Sequence, residues 1–348
     1  MRMDNNSNNY APQGSDVLRS SSKIFDHHDR EFDYLRLAVN ETCNLRCIYC
    51  MPEEGVQLLN KDQYLSKLEI KRIISLFTQM GITKIRFTGG EPLLRKDISE
   101  LIRYAKDECK IEQVHLTTNG ILLNKYLDQL SRAGLSGINI SLDSLRPERF
   151  KKITRRDKLQ QVLDNIILVQ DSVIPSLKIN VVFMRGFNDD ELLDFVEFTK
   201  TNHLTVRFIE LMPFDAHQIW KTGKFYKSED ILNDLKHKVQ GLHPITGSST
   251  EHYIFQVDGY LGKIAIIPSY SRNLCINCNR IRITADGSLR NCLYSKEEKS
   301  LRDLIRKGAL DQELKEMVRD SFLAKHKDGW EAQRVKGNNR ESITQIGG

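Results

Sequence analysis

Residues 34–50 read Tyr34-Leu-Arg-Leu-Ala-Val39, then Asn40-Glu-Thr42, then Cys43-Asn-Leu-Arg-Cys47-Ile-Tyr-Cys50. The first six alternate with the period of a β-strand: Leu35, Leu37 and Val39 fall on one face, Tyr34, Arg36 and Ala38 on the other. Three cysteines follow on the loop that leaves the C-terminal end of this strand. That end is where β/α enzymes place their chemistry.

The same unit recurs downstream. Strands are expected at 82–88, 112–117, 137–141, 177–183 and 204–210, with helical patterns near 67–80, 96–108, 124–133, 159–171 and 189–201 between them. Successive β/α units predict an α/β fold: a parallel sheet that right-handed crossovers curl into a partial (β/α)6 barrel of the TIM type, helices outside. Arg86 and Thr88, His115 and Thr117, Asn139 and Ser141, Lys178 and Asn180, and Arg207 all fall on the face that carries Arg36. An all-parallel sheet is covered on both sides, so a repeated polar face predicts a lined lumen rather than a solvent surface.

After about residue 211 the rhythm changes to a helix near 228–238, β-type runs at 252–257, 263–267, 280–284 and 288–292, and helices near 297–305 and 309–322. The expected division is a disordered N-terminal extension (1–30), the partial barrel (31–213), a C-terminal α+β extension (214–323) and a polar tail (324–348) ending Gly347-Gly348.

The 348 residues, 40% hydrophobic, suffice for a large core. No apolar run approaches the roughly 18 residues that span a bilayer, and the first thirty residues carry no signal-peptide core, so no membrane partner and a cytoplasmic location are expected. The net charge of +6 suits an anionic substrate. A basic stripe interleaved with aromatics is missing, which argues against a nucleic-acid partner. Seven cysteines in such a chain argue against a disulfide framework, and only Cys109 stands outside two groups.

The first group, Cys43, Cys47 and Cys50, supplies three thiolates, which leave one iron of a [4Fe–4S] cubane open to a chelating small molecule. Zinc sites usually set two short-spaced pairs apart by a longer loop, a poor match to this segment. The second group, Cys275-x2-Cys278-x13-Cys292, brackets Arg280, Arg282 and an Asp286-Gly287 turn. Its spacing admits a zinc knuckle as readily as a cluster. Arg280 and Arg282, two apart on an expected strand, share a face beside these cysteines.

The cysteine spacing with Tyr49 before the last Cys, and Thr88-Gly-Gly-Glu-Pro92 after the second strand, resemble the radical S-adenosylmethionine superfamily. At higher resolution the chain from about 31 to 348 resembles the GTP 3′,8-cyclase family of molybdenum cofactor biosynthesis. The resemblance rests on the Cys275–Cys292 segment, Arg36, Cys50-Met-Pro52, Arg86, Leu116-Thr-Thr-Asn-Gly120, Ser141-Leu-Asp143, Phe208-Ile-Glu-Leu-Met-Pro213, the helix beginning near Ser228, and the terminal Gly347-Gly348. It implies a lyase that takes the ribose 3′ hydrogen of GTP, joins that carbon to guanine C8 and yields (8S)-3′,8-cyclo-7,8-dihydroguanosine 5′-triphosphate. No side-chain acid or base is assigned. The resemblance further implies two [4Fe–4S] clusters, on Cys43, Cys47 and Cys50 and on Cys275, Cys278 and Cys292. It gives S-adenosylmethionine contacts at Tyr49, Gly90, Ser141 and Met212, and GTP contacts at Arg36, Arg86, Thr117, Lys178, Arg280 and Arg282. Implied partners are the cyclic pyranopterin monophosphate synthase that acts next, an unnamed electron donor and a second copy in a homodimer. The terminal glycines are expected to enter the site. The N-terminal extension and the loop from Glu53 to Ser66 depart from the pattern.

Two other readings compete. A peptide-modifying radical enzyme also carries auxiliary clusters, usually with more than three auxiliary cysteines. A zinc-stabilised RNA-binding protein would use the basic residues, but lacks the expected stripe.

Overall fold

The computed structural model describes residues 23–212, 223–246, 253–271, 275–335 and 342–346. All six expected barrel strands form: β1 (Tyr34–Ala38), β2 (Lys84–Thr88), β3 (Gln113–Thr118), β4 (Gly137–Ser141), β5 (Leu177–Phe183) and β6 (Thr205–Glu210). They lie side by side in chain order, each parallel to the next. Their apolar faces meet α1 (Lys67–Gln79), α2 (Ile98–Arg103), α3 (Leu123–Arg132), α5 (Leu159–Gln170) and α6 (Leu192–Glu197) in one hydrophobic core.

Helix α1 illustrates the local logic. Ser66 and Glu69 form a reciprocal capping box, the Ser66 hydroxyl accepting from Glu69 N and the Glu69 carboxylate from Ser66 N at 2.7 Å. Ile70, Ile73, Ile74 and Phe77 then follow at helical spacing and are all buried, each contributing roughly 1.5–3 kcal/mol by leaving water.

The extension is not a separate layer. It supplies β7 (Leu242–Pro244), β8 (Tyr253–Val257), β9 (Lys263–Ile267), β10 (Arg280–Ile283), β11 (Ser288–Arg290) and β12 (Lys299–Ser300), and the sheet order is β12-β11-β10-β1-β2-β3-β4-β5-β6-β9-β8-β7. Strand β10 adds parallel to the free edge of β1, and β9 adds parallel to the free edge of β6. Both bare barrel edges are thereby paired, which removes two aggregation-prone rows of backbone donors and acceptors. Helix α7 (Ser228–Lys238) leads from β6 toward β9 as one further β/α unit.

Four expectations need correction. Residues 23–30 are not a disordered extension: Ile24 is fully buried, Phe25 bridges Glu31, and Asp26 and Arg30 form a buried ion pair at 2.6 Å. Too few apolar residues lie here to show a period. A helix not expected from sequence, α4 (Pro147–Thr154), starts with Pro at its first turn and ends on Arg155 at φ +56°. Lys299 and Ser300, assigned to a helix, form β12, after which Ser300 caps α8 (Leu301–Arg306) by accepting from Asp303 N at 3.1 Å. Helix α9 (Asp311–Leu323) follows, and the loosely patterned tail holds α10 (Gly329–Arg334) and a 3-10 turn at Ile343–Ile346. Gly347 and Gly348 lie outside the described residues.

Candidate active site

The lumen face of the sheet surrounds a cavity of about 340 Å³ to which both cysteine groups contribute. Its walls run from Arg280 and Arg282 on β10, through Tyr34, Arg36, Arg86, Thr117, Asn139, Ser141, Asn180 and Arg207, to Ile267 at the end of β9. One sheet can line a single cavity from both of its flanks only by curling around it.

Glycine chemistry brings the first cysteine loop to this cavity. A Cβ on Gly90 would stand 2.2 Å from the Thr42 carbonyl oxygen, and one on Gly89, at φ +134°, would stand 2.2 Å from that of Asn40. The Gly-Gly pair therefore lets the turn after β2 lie directly on the backbone leading to Cys43, where Glu91 N donates to Thr42 O at 2.8 Å. The buried Glu91 carboxylate accepts from Thr118 Oγ1 and Asn119 N, both at 2.7 Å, and from Leu93 N at 3.0 Å. Burial nonetheless raises it to about 7. Asn119 Nδ2 in turn donates to Asn44 Oδ1 at 2.6 Å, fixing the segment between the first two cysteines.

On the opposite side Tyr49 Oη donates to Asp143 Oδ2 at 2.6 Å, and Val182 N donates to Asp143 Oδ1 at 2.8 Å. Burial raises Asp143 to about 6. Ser342 Oγ donates to the Cys50 carbonyl at 2.8 Å, so the C-terminal segment closes over the first loop and Ile343 and Thr344 join the lining.

Burial raises the Cys43 thiol to about 11 and that of Cys50 to about 12, and pushes Cys47 up strongly. These sulfurs surrender their protons only to a strong competitor, as metal loading requires. The second group is electrostatically different. Burial works to raise Cys278, but Lys325, Arg280 and Arg282 outweigh it and the thiol is lowered. Among the described residues no three His, Cys, Asp or Glu side chains converge as the ligand set of one ion. Each group offers three thiolates to the cavity, the number that a [4Fe–4S] cubane with one open iron takes.

The other wall is cationic. Arg282, Arg36 and Arg86 are successive register partners across β10, β1 and β2. Burial, then Arg282, presses the Arg36 pKa well down, and burial, then Arg280, brings Arg282 to about 10. A guanidinium keeps its proton in proteins, so this wall of the cavity stays positively charged. Arg282 Nη1 is buried with no hydrogen-bond partner among the described residues. Burial would raise the Tyr34 phenol, yet Arg86, Arg36, Arg280 and Lys84 bring it down to about 7, and its oxygen accepts from Arg86 Nε. Arg86 Nη1 also reaches Thr117 Oγ1 at 3.4 Å.

Two family models match the chain, the Radical SAM superfamily over residues 37–199 and Molybdenum Cofactor Synthesis C over 204–330. Over 336 residues it is 44% identical to the GTP 3′,8-cyclase of Chlorobaculum tepidum, a match that spans 95% of this chain and 99% of that protein. The chain belongs to the GTP 3′,8-cyclase family. It is also 41% identical over 335 residues to molybdenum cofactor biosynthesis protein 1 of Dictyostelium discoideum, covering 93% of this chain and 52% of that longer protein. The fold is shared with SuiB of Streptococcus suis bound to S-adenosylmethionine, at TM-score 0.54 and 15% identity over 84% of this chain and 69% of that one.

Membership in the cyclase family sets aside the peptide-modifying and RNA-binding readings. Of the residues that sequence analysis assigns in this cyclase-family chain, Cys43, Cys47, Cys50, Tyr49, Gly90, Ser141, Met212, Arg36, Arg86, Thr117, Cys275, Cys278, Cys292, Arg280 and Arg282 all line the cavity. Lys178 does not. It shares the lumen face with Asn180 but sits one pleat nearer the strand's N-terminal end, where burial and then Arg86, Lys84, Lys178 and Arg207 push His115 down to about 2. Sequence analysis assigned no site role to Tyr34, Asn139, Asn180 or Arg207, although strand parity had put all four on the lumen face. Asp143 reaches the cavity from just beyond the end of β4, and Ile343 and Thr344 from the 3-10 turn, so strand parity does not apply to them.

Proposed function

We propose that this protein converts GTP to (8S)-3′,8-cyclo-7,8-dihydroguanosine 5′-triphosphate, the first step of molybdenum cofactor biosynthesis, and that it acts as a lyase. The observation that carries this reading is the shared cavity, lined by both cysteine triads and by Arg36, Arg86, Arg207, Arg280 and Arg282. When bound, S-adenosylmethionine and a reduced cubane supply a primary carbon radical that takes the ribose 3′ hydrogen.

Cys43, Cys47 and Cys50 would hold the cluster that meets the cofactor, and Cys275, Cys278 and Cys292 a second cluster facing the guanine. Tyr49, Gly90, Ser141 and Met212 would contact S-adenosylmethionine, and all four line the cavity. Arg36, Arg86, Arg280 and Arg282, with Thr117, offer planar, fixed donors for triphosphate oxygens, which guanidiniums clamp bidentately. Lys178, on the same lumen face one pleat toward the strand's N-terminal end, would add positive charge near the triphosphate. Ile343 and Thr344 join the sheet in lining the cavity, and such a lining would help keep water from a reactive carbon centre. Ring closure leaves one electron and one proton to be added at guanine for the 7,8-dihydro product, so an external electron donor is part of the proposal. The next enzyme in the pathway as product acceptor, a homodimeric state and a cytoplasmic location belong to the same reading; no helix of the described residues is long and apolar enough to cross a membrane.

Anaerobic reconstitution with iron and sulfide, followed by reductant, S-adenosylmethionine and GTP, tests it. About eight irons per chain are expected, as two cubanes require, together with GTP-dependent 5′-deoxyadenosine and the cyclised nucleotide. Deoxyadenosine formation with GTP recovered unchanged would overturn the assignment of substrate.

A further inference from the structure

Arg30 lies four residues before the first strand, in a segment that carries no motif, yet its guanidinium joins three parts of the chain. Nε meets Asp26 Oδ2 at 2.6 Å, Nη1 donates to the carbonyls of Cys275 at 2.8 Å and Lys327 at 2.7 Å, and Nη2 donates to that of His326 at 2.7 Å. Asp26 is itself fully occupied: its other oxygen accepts from His28 N at 2.9 Å and Arg30 N at 3.0 Å, so the carboxylate closes the 26–30 turn and aims the guanidinium. Both side chains of the pair are nearly inaccessible to solvent, at 7% for Arg30 and 0% for Asp26.

The contact continues along the chain. Asn279 Nδ2 donates to Asp33 Oδ1 at 2.7 Å, and Tyr34 N donates to Asn279 O at 3.2 Å. Phe32 packs on Phe322 of α9 with ring centroids 4.6 Å apart. Residues 24–34 thus run as a collar along the Cys275–Cys278 loop, wedged between it and the C-terminal helices. Within the collar Arg30 makes the bonds that reach a cysteine's own backbone.

We infer that Arg30, aimed by Asp26, is a positioning residue for the second cysteine group: it fixes the Cys275 main chain so that the Cys275, Cys278 and Cys292 thiolates face the cavity together. This rests on the reading that those three cysteines hold a cluster. A planar fork of donors is required, because one side chain serves a carboxylate and three carbonyls that arrive from different directions; an ammonium cannot span that set. Arg30 touches neither cofactor nor substrate and acts through the ligand loop alone.

The test uses the full chain in two backgrounds. C43A/C47A/C50A leaves only the second group, and C275A/C278A/C292A only the first; each should take up about four irons on anaerobic reconstitution. Adding Arg30→Ala should strip iron and the reduced-cluster electron paramagnetic resonance signal from the first background to below about a quarter of its parent, while the second background keeps both. Arg30→Lys should fall between parent and Arg30→Ala in the first background. Undiminished iron in C43A/C47A/C50A carrying Arg30→Ala overturns the inference, and so does equal loss from both backgrounds, which would mark Arg30 as general fold support. A C43A/C47A/C50A parent that binds no iron sinks the cluster reading itself, and the positioning role with it.

Discussion

Arg36 on β1 and Arg282 on β10 are direct register partners on neighbouring parallel strands, both on the lumen face. Like charges placed opposite one another cost a sheet roughly 0.2–1 kcal/mol, and burial adds to that. On the proposed function, the pair is a stability cost that an anion bound in the cavity would offset.

Opposite signs for stability and affinity should follow from Arg282→Gln. The apoprotein should melt slightly higher, while GTP binding, measured without reductant on reconstituted protein, should weaken roughly 10- to 100-fold, the loss expected for about 1.5–3 kcal/mol of charged hydrogen bonding. A lower melting temperature with unchanged affinity would instead make the arginine a structural residue.

Tyr34 gives a pH signature. Its folded value of about 7 lies below the ordinary 10, so between those values the unfolded chain holds a proton that the folded chain has released. Stability from this group is complete above pH 10 and is lost as the pH falls through about 7. Denaturant unfolding of the apoprotein across this window should therefore show a rising slope that Tyr34→Phe flattens. A tyrosinate ultraviolet band with a midpoint near 7 should vanish in the same variant.

Gly90→Ala should remove iron from the first cysteine group, because its Cβ would stand 2.2 Å from a backbone oxygen that cannot move without shifting Cys43. Reconstituted iron is expected to drop by about half. The control is Gly186→Ala, at φ +64° with no atom of the described residues within 4 Å of the added Cβ, where only backbone strain of about 1–2 kcal/mol is expected and iron stays whole. Matching iron contents in the two variants would refute the proposed close-packing role.

Cys43→Ala and Cys292→Ala should divide the reaction. The first is expected to abolish formation of 5′-deoxyadenosine; the second to retain uncoupled formation while losing cyclised product. Equal loss of deoxyadenosine from both would rule out this division of labour.

Much of this was legible in the sequence, for a physical reason. A parallel strand buried on both faces has to show alternation wherever one face is polar, so Arg36, Arg86, Thr117, Ser141, Asn180 and Arg207 announced a common lumen from spacing alone. Alternation fixes the face and not the height, so Lys178 shares the lumen face with Asn180 without itself lining the cavity. Helix α4 was missed because its buried apolar positions, Phe150 and Ile153, make too short a period among basic residues. Arg30 left no trace at all: its partners are main-chain carbonyls at Cys275, His326 and Lys327, which every residue type possesses. The pairing of β10 with β1 was equally invisible, since a strand's own sequence does not name its neighbour across most of the chain.

That pairing has a consequence during synthesis. Tyr34 meets its register partner Arg280 only after nearly the whole chain has been made, an interval on the order of 10–50 s at ordinary elongation rates. Until then β1 waits with an open edge, Arg36 has no charged neighbour on that side, and the second cysteine group does not yet exist. The last strand to arrive beside β1 also brings Arg280 and Arg282, so sheet closure and assembly of the anion site are one event. An unfinished chain is therefore silent by construction, with half a cavity and nothing to hold a substrate against its first cysteine loop.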